Sequence, residues 1–184
     1  MGFKKVAKKV SETKKATSEQ IDDLKVNGSN VILKGVEIKF WSYRKVSSNS
    51  QYEPKFCITV KLSDKHVKLM EAAKEAAIMW YCNENGIDQD DIPEFSDSIY
   101  TGKDGEVTYT FRSSKDFREL TEVDGEPCDP ELKIGKGSIA NIAIRASATK
   151  IYKSHTVIFY LNGVNIKTLE EFKGSQFNLH EALR

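Results

Sequence analysis

The chain has 184 residues, 39% of them hydrophobic and 30% charged, which suits one globular domain with a core plus tails rather than a disordered or fibrous protein. The formal net charge is +1, so no global field marks it for a polyanion and only the local placement of charge is informative. Cys57, Cys82 and Cys128 are odd in number, far apart and without C-x-x-C spacing; this argues against a disulfide framework or zinc knuckle and for reduced thiols in a cytoplasmic compartment.

Residues 1–29 carry Lys4, Lys5, Lys8, Lys9, Lys14 and Lys15 among Ser and Thr. They read as a basic, flexible N-terminal arm that orders against a partner, or as a solvated tail, with Ser18–Leu24 a candidate short helix. Met1–Val10 lacks the apolar region of a secretory signal, and no apolar run approaches the ~20 residues of a membrane span, so no membrane partner is expected. Asn30–Lys45 reads as a long, bent strand. Its period-2 pattern puts Val36, Ile38 and Phe40 inward and Glu37, Lys39, Trp41 and Tyr43 outward. Tyr52–Leu62 is the second strand, with Phe56, Ile58, Val60 and Leu62 inward and Lys55, Cys57, Thr59 and Lys61 outward. The polar stretch Val46–Gln51 makes the pair a hairpin.

A helix is predicted over about residues 63–85, with Ser63 as N-cap and Gly86 as the stop. Val67, Met70, Ala73, Ala77 and Trp80 form one stripe, and Leu69, Ala72, Ala76 and Met79 another. So wide an apolar surface assigns both stripes, Trp80 and Met79 included, to packing against a sheet. An acidic stretch follows at residues 86–102. Glu106–Arg112 is a third strand, with Val107, Tyr109 and Phe111 on one face and Arg112 on the other. A second acidic loop spans residues 119–131. Two long strands, Gly137–Lys150 and His155–Ile166, are joined by Tyr152–Ser154, and Arg145 falls out of phase with Ile142 and Ile144. Leu169–Arg184 reads as a frayed helical tail.

Five substantial strands with one inserted helix predict a mostly β fold, a five-stranded OB-type Greek-key barrel with flexible termini; a β-sandwich is the alternative. The expected division is an arm at 1–29, a binding domain at 30–168 and a tail at 169–184. If the barrel forms, its outer face brings Lys39, Trp41 and Tyr43 beside Tyr52, Lys55 and Lys61. Arg112, Arg145, Lys150, Tyr152 and Lys153 come from later strands and the last turn. Exposed aromatics stack unpaired bases, each worth about 1–3 kcal/mol with little regard to base identity, and cations beside them neutralise phosphates. The pattern therefore points to sequence-nonspecific binding of single-stranded DNA.

Catalytic patterns are weak. Glu131-Leu-Lys133, with Asp124 upstream, is a fragment of a metal-dependent nuclease site, a pattern common by chance. There is no phosphate-binding P-loop, no nucleophile elbow and no calcium loop, and His66, His155 and His180 share no metal-ligand spacing. The expectation is a non-enzymatic protein without metal or cofactor. A nuclease using Glu131 and Lys133, or a protein-interaction module working through the acidic loops, stand as alternatives.

Over residues 28–168 the chain also resembles the replicative single-stranded DNA-binding proteins of short-tailed phages. Gly135-Lys-Gly-Ser-Ile-Ala-Asn-Ile-Ala-Ile-Arg145 is similar to that family's turn and strand. Phe159-Tyr-Leu-Asn-Gly-Val-Asn-Ile166 is similar to its last strand, and Tyr52-Glu-Pro-Lys-Phe56 to an early pattern. The resemblance implies an OB fold, binding of single-stranded DNA, roles in phage DNA replication, recombination and strand annealing, and a host-cell cytoplasmic location. It also implies a homodimer and contacts with a replicative polymerase and helicase-primase. The family's acidic C-terminal tail is not matched by Lys173–Arg184: either such a tail lies outside this sequence, or the two acidic loops serve instead, or partners are recruited differently.

Overall fold

The computed structural model describes residues 29–43, 45 and 55–172. The basic arm up to residue 28, the Val46–Gln51 turn, Tyr52 and Lys173–Arg184 lie outside the described residues. In chain order the elements are β1 (Asn30–Trp41), β2 (Phe56–Leu62), helix α1 (Asp64–Glu84), β3 (Phe95–Ser96), β4 (Tyr100–Thr101), β5 (Val107–Ser113), β6 (Thr121–Val123), β7 (Glu126–Pro127), β8 (Ile139–Ile151) and β9 (Ser154–Thr168). Two 3-10 turns, Gln89–Asp91 and Phe117–Leu120, lie in the acidic stretches.

The sheet runs β4-β5-β2-β1-β8-β9-β6-β7, with β3 added in parallel to β9. Its central path, β5-β2-β1-β8-β9, is the Greek-key order of an OB-type barrel. The ring is brought round where β5 meets β9. The Phe159 N–H donates to the Tyr109 hydroxyl at 3.2 Å, and the two rings meet edge-on at 5.4 Å. The short strands β3, β6 and β7 occupy stretches read from sequence as acidic loops.

β1 pairs with β8 through its first half and with β2 through its second. To serve both partners it changes phase twice. Between Leu33 and Val36 it spends three residues against two of β8, and Gly35 takes φ +71° at that bulge. The Gly35 N–H donates to Asn141 Oδ1 at 2.9 Å. Between Ile38 and Phe40 it spends two residues against one of β2, so Lys39 is the extra residue. The inward set is therefore Val31 and Leu33, then Val36 and Ile38, then Trp41. The unbroken alternation expected from sequence is corrected here. Trp41 is 5% exposed and belongs to the core, whereas Phe40 is 48% exposed on the outer face. Past Trp41 the hydrogen bonding continues through Ser42, whose Oγ accepts from the Cys57 N–H at 2.6 Å.

Helix α1 starts with a capping box. The His66 N–H donates to Ser63 Oγ at 3.4 Å, and the Ser63 N–H donates to His66 Nδ1 at 3.2 Å. Nδ1 thus accepts, and the proton resides on Nε2, which donates to the Lys34 carbonyl at 2.9 Å. Leu69, Met70, Ala73 and Ala77 are buried against the barrel. Gly86, at φ +62°, follows the C-cap Asn85. Lys74 ties the helix to the first acidic stretch through Asp97 at 2.6 Å.

Met79 and Trp80 depart from the packing role expected of them, at 40% and 63% exposed. The helical stripe through Met70, Ala73 and Ala77 runs on to Trp80, but there the helix passes β8 beyond Arg145, where β1 has ended, and Trp80 stays outside the core. Leu169–Phe172 is extended rather than helical: Glu171 bridges to Ile134, and the Gly135 N–H donates to the Glu170 carbonyl at 2.6 Å.

Gly35 has open space where a Cβ would sit, so a substitution there meets backbone strain alone. Gly35→Ala is expected to cost about 1–2 kcal/mol, read as a drop of several degrees in Tm. An unchanged Tm would remove the bulge from the account of how β1 bends.

Candidate nucleic-acid interface

The second half of β1, with β2 and β5, presents one outer surface. Cross-strand register aligns Phe40 with Thr59 and Thr110, and Glu37 with Lys61 and Thr108. Thr59 and Thr110 share a hydrogen bond at 2.9 Å. Arg112 stands opposite Cys57, its Nη1 3.8 Å from the sulfur, and this guanidinium helps to cover a thiol that alternation alone would expose.

The two lysines expected to serve phosphates on this surface already have carboxylate partners. Lys39 Nζ lies 3.2 Å from Glu106 and 3.7 Å from Glu37, and Lys61 Nζ lies 3.1 Å from Glu106. The hydrogen bond to Glu106 is the main influence raising the Lys39 pKa, and hydrogen bonds from Lys61 and then Lys39 hold the Glu106 carboxyl below its ordinary value. Glu106 lies just before β5, and the turn ahead of it is held by its N–H donating to Asp104 Oδ1 at 3.0 Å.

Tyr43 is half-buried and bonded. Its hydroxyl donates to the Ile134 carbonyl, the Arg118 guanidinium sits 5.7 Å from its ring centroid, and Phe172 packs 6.2 Å away. Burial pushes its phenol up to about 12. Arg118 in turn is held by Asp116 at 2.6 Å and donates to the Pro130 carbonyl. This cluster fastens the second acidic loop and the start of the tail to the barrel, so Tyr43 serves packing rather than an open stacking surface.

The β8–β9 pair holds a second surface at the other end of β1. Arg145 is exposed on β8, directly opposite Tyr160 on β9, with its guanidinium 5.9 Å from the Tyr160 ring centroid. Ile32 and Ala143 adjoin them in register. Tyr160 is 43% exposed. At the tip of the hairpin Ile151 pairs with Ser154, leaving Tyr152-Lys153 as the turn. Tyr152 takes φ +54°, the left-handed region that a residue with a Cβ normally avoids, and it is 97% exposed. Lys150 and Lys153 beside it are exposed.

Of the residues expected to share one face, the structure thus brings Arg145, Lys150, Tyr152 and Lys153 onto one hairpin. It puts Lys39, Lys61 and Arg112 on the other surface and leaves Lys55 exposed just before β2. The Trp41 side chain is in the core. Sequence reasoning missed Tyr160, Phe40 and Trp80. Tyr160 was discoverable, because Phe159 points inward and its neighbour must point out.

Among the described residues no group of three His, Cys, Asp or Glu side chains is placed to hold a metal ion, and no helix is long and apolar enough to cross a membrane. Glu131 lies in a turn where its N–H donates to Asp129 Oδ1 at 2.8 Å.

No family model matches the chain, and no curated protein matches it. Solved structures do. The single-stranded DNA-binding protein from bacteriophage Enc34 in complex with ssDNA is similar over 80% of this chain and 91% of its own, with TM-score 0.59 and 13% identity. The T7 single-stranded DNA-binding protein gp2.5 is similar over 84% of this chain and 96% of its own, with TM-score 0.53 and 13% identity. The fold is the one these phage proteins have.

Because Glu106 carries a lowered pKa in the folded chain, it contributes stability above its ordinary value of 4.5, and that contribution is lost as pH falls through the folded value. Thermal melts of the wild type and Glu106→Gln should differ near neutrality and begin to converge as pH falls below about 4.5. A gap that stays constant on acidification would show the Lys39–Glu106–Lys61 cluster to be energetically idle.

Proposed function

We propose that this protein binds single-stranded DNA without regard to sequence, stacking bases on exposed aromatics and neutralising phosphates, and that it has no catalytic activity of its own. The observation that carries the reading is Tyr152. A fully exposed aromatic contributes nothing to a core, and at φ +54° it holds a backbone conformation that Gly or Asn adopts more cheaply. Strain without a packing return, between Lys150 and Lys153 and on the same hairpin as Arg145 and Tyr160, fits a residue kept for what it touches in a partner. The likeness of the fold to phage proteins that bind single-stranded DNA supports the same reading.

The proposed contact set is Arg145, Lys150, Tyr152, Lys153 and Tyr160, extended by Phe40, Lys55 and Arg112 along the other surface. Lys39 and Lys61 contribute where DNA phosphates displace Glu106. The proposed binding domain spans residues 30–168, with the basic arm ahead of it and the tail behind. The wider reading rests on the sequence resemblance: action in phage DNA replication, recombination and strand annealing, in the host cytoplasm, as a homodimer that contacts a replicative polymerase and helicase-primase.

Fluorescence anisotropy with labelled oligo-dT and with duplex DNA tests the reading directly: binding to the single strand is expected, and it should weaken as salt rises. No binding at low salt overturns it. Tyr152→Asn should weaken oligo-dT binding by about 1 kcal/mol or more, roughly fivefold, while Tm holds or rises because Asn tolerates the left-handed backbone. Equal affinity in the variant would return Tyr152 to the status of an idle turn residue. Arg145→Gln should make the slope of log affinity against log salt shallower by about 0.7, the release of one counterion site; an unchanged slope would take Arg145 off the phosphate path.

A further inference from the structure

Trp80 is 63% exposed at the last turns of α1, and it does not stand alone. A recess of about 270 Å³ opens where that end of the helix passes the edge of β8. Trp80, Arg145 and Ser147 line it over the small side chains of Ala77, Ala146 and Ala148, with Ser29 at its rim. The volume lies just below the ~300 Å³ at which small-molecule sites begin, which suits a single flat ring system. No acidic residue lines it, and Arg145 is the one charged residue in its lining.

The main chain adds hydrogen-bonding groups. The Ala146 N–H donates to the Ser29 carbonyl at 2.9 Å, where the β1–β8 ladder ends. Alternation along a strand aims the main-chain groups of Ala148 the same way, toward the edge that β1 has left, and among the described residues no strand pairs with β8 on that edge there. Arg145 lines the recess where β8 loses β1, and its guanidinium lies 5.9 Å from the Tyr160 ring centroid on the outer face, within reach of a strand leaving the recess.

We propose that this recess is a nucleobase subsite: one unpaired base stacks on Trp80, its neighbouring phosphate meets Arg145, and the strand continues toward Tyr160. The proposal rests on the single-stranded DNA reading above and extends it from the barrel to the helix. An indole face, a floor of methyl groups and an adjacent cation recognise a base by its ring and its backbone charge, so the subsite takes any base.

The chain has two tryptophans, and they report separately: Trp41 from the core, Trp80 from the recess. In full-length Trp41→Phe, oligo-dT should quench the remaining Trp80 emission. In Trp80→Phe, the remaining Trp41 emission should stay unchanged on saturation with DNA. Trp80→Ala, at an exposed position, should keep the Tm and weaken oligo-dT binding about fivefold or more by anisotropy. If Trp41→Phe does not fold, loss of the wild-type quench in Trp80→Phe answers the same question.

Oligo-dT binding that is equally tight in Trp80→Ala, with no quench traceable to Trp80, overturns the subsite and leaves the DNA-binding reading standing. Absence of wild-type binding overturns both. Trp80 emission already shielded from acrylamide without DNA also overturns the subsite, because the recess is then filled by protein; shielding that grows with protein concentration identifies that filler as a second copy of the chain.

Discussion

Everything in this barrel depends on β1 hydrogen-bonding to two partners that do not lie in one plane. Its first half must satisfy β8 and its second half β2, and a strand with strict alternation cannot bend that far while keeping one face on the core. The extra residues at Gly35 and Lys39 supply the bend. Each reverses which side faces inward, and the two reversals together let Val31, Leu33, Val36, Ile38 and Trp41 meet one core. The second reversal also puts Phe40 and Lys39 on the outer surface. The chemistry of that surface is thus a by-product of closing the barrel.

What was legible in the sequence follows from the same point. β8 alternates without a break, so Ile142, Ile144, Ala146 and Ala148 could be assigned inward and Arg145 outward from period alone. Helix α1 was legible at both ends, because Ser63 caps with its hydroxyl and Gly86, lacking a Cβ, takes the left-handed backbone just past the C-cap. The bulge at Lys39 carries no such mark: a lysine fits there as well as anywhere, and the adjacency of Phe40 and Trp41 said only that one of the two must turn away. Trp80 failed for a different reason. Helical spacing reveals which residues share a stripe, but where β1 leaves β8 beneath the helix depends on pairing between strands far apart in the chain. Glu106, 67 residues from the lysine it binds, was beyond any local pattern.

Charge is distributed by the fold rather than by composition. Lys39 and Lys61 meet at Glu106, Lys74 meets Asp97, and Arg118 meets Asp116. With Glu37 also beside Lys39, four acidic residues therefore engage these four cations on or near the barrel. The cations of the β8–β9 hairpin have no such carboxylate partner among the described contacts, which concentrates positive potential at one end of a nearly neutral protein. On the other surface any anion meets carboxylates already in contact with Lys39 and Lys61.

The meeting of β5 and β9 is the point where the ring is least like the rest of itself. Every other junction on the central path is a ladder of backbone pairs, whereas here a single phenolic hydroxyl, that of Tyr109, takes the Phe159 amide. A hoop joined by ladders all round resists a change of girth at every strand. A ring with one clasp can widen by releasing that clasp, and the neighbouring ladders then flex as hinges without breaking. Arg112 rides on one side of the clasp and Tyr160 on the other. Among the described residues, what joins the two outer surfaces at this seam is side-chain contact, the Tyr109 hydrogen bond and its edge-on packing on Phe159, rather than a backbone ladder.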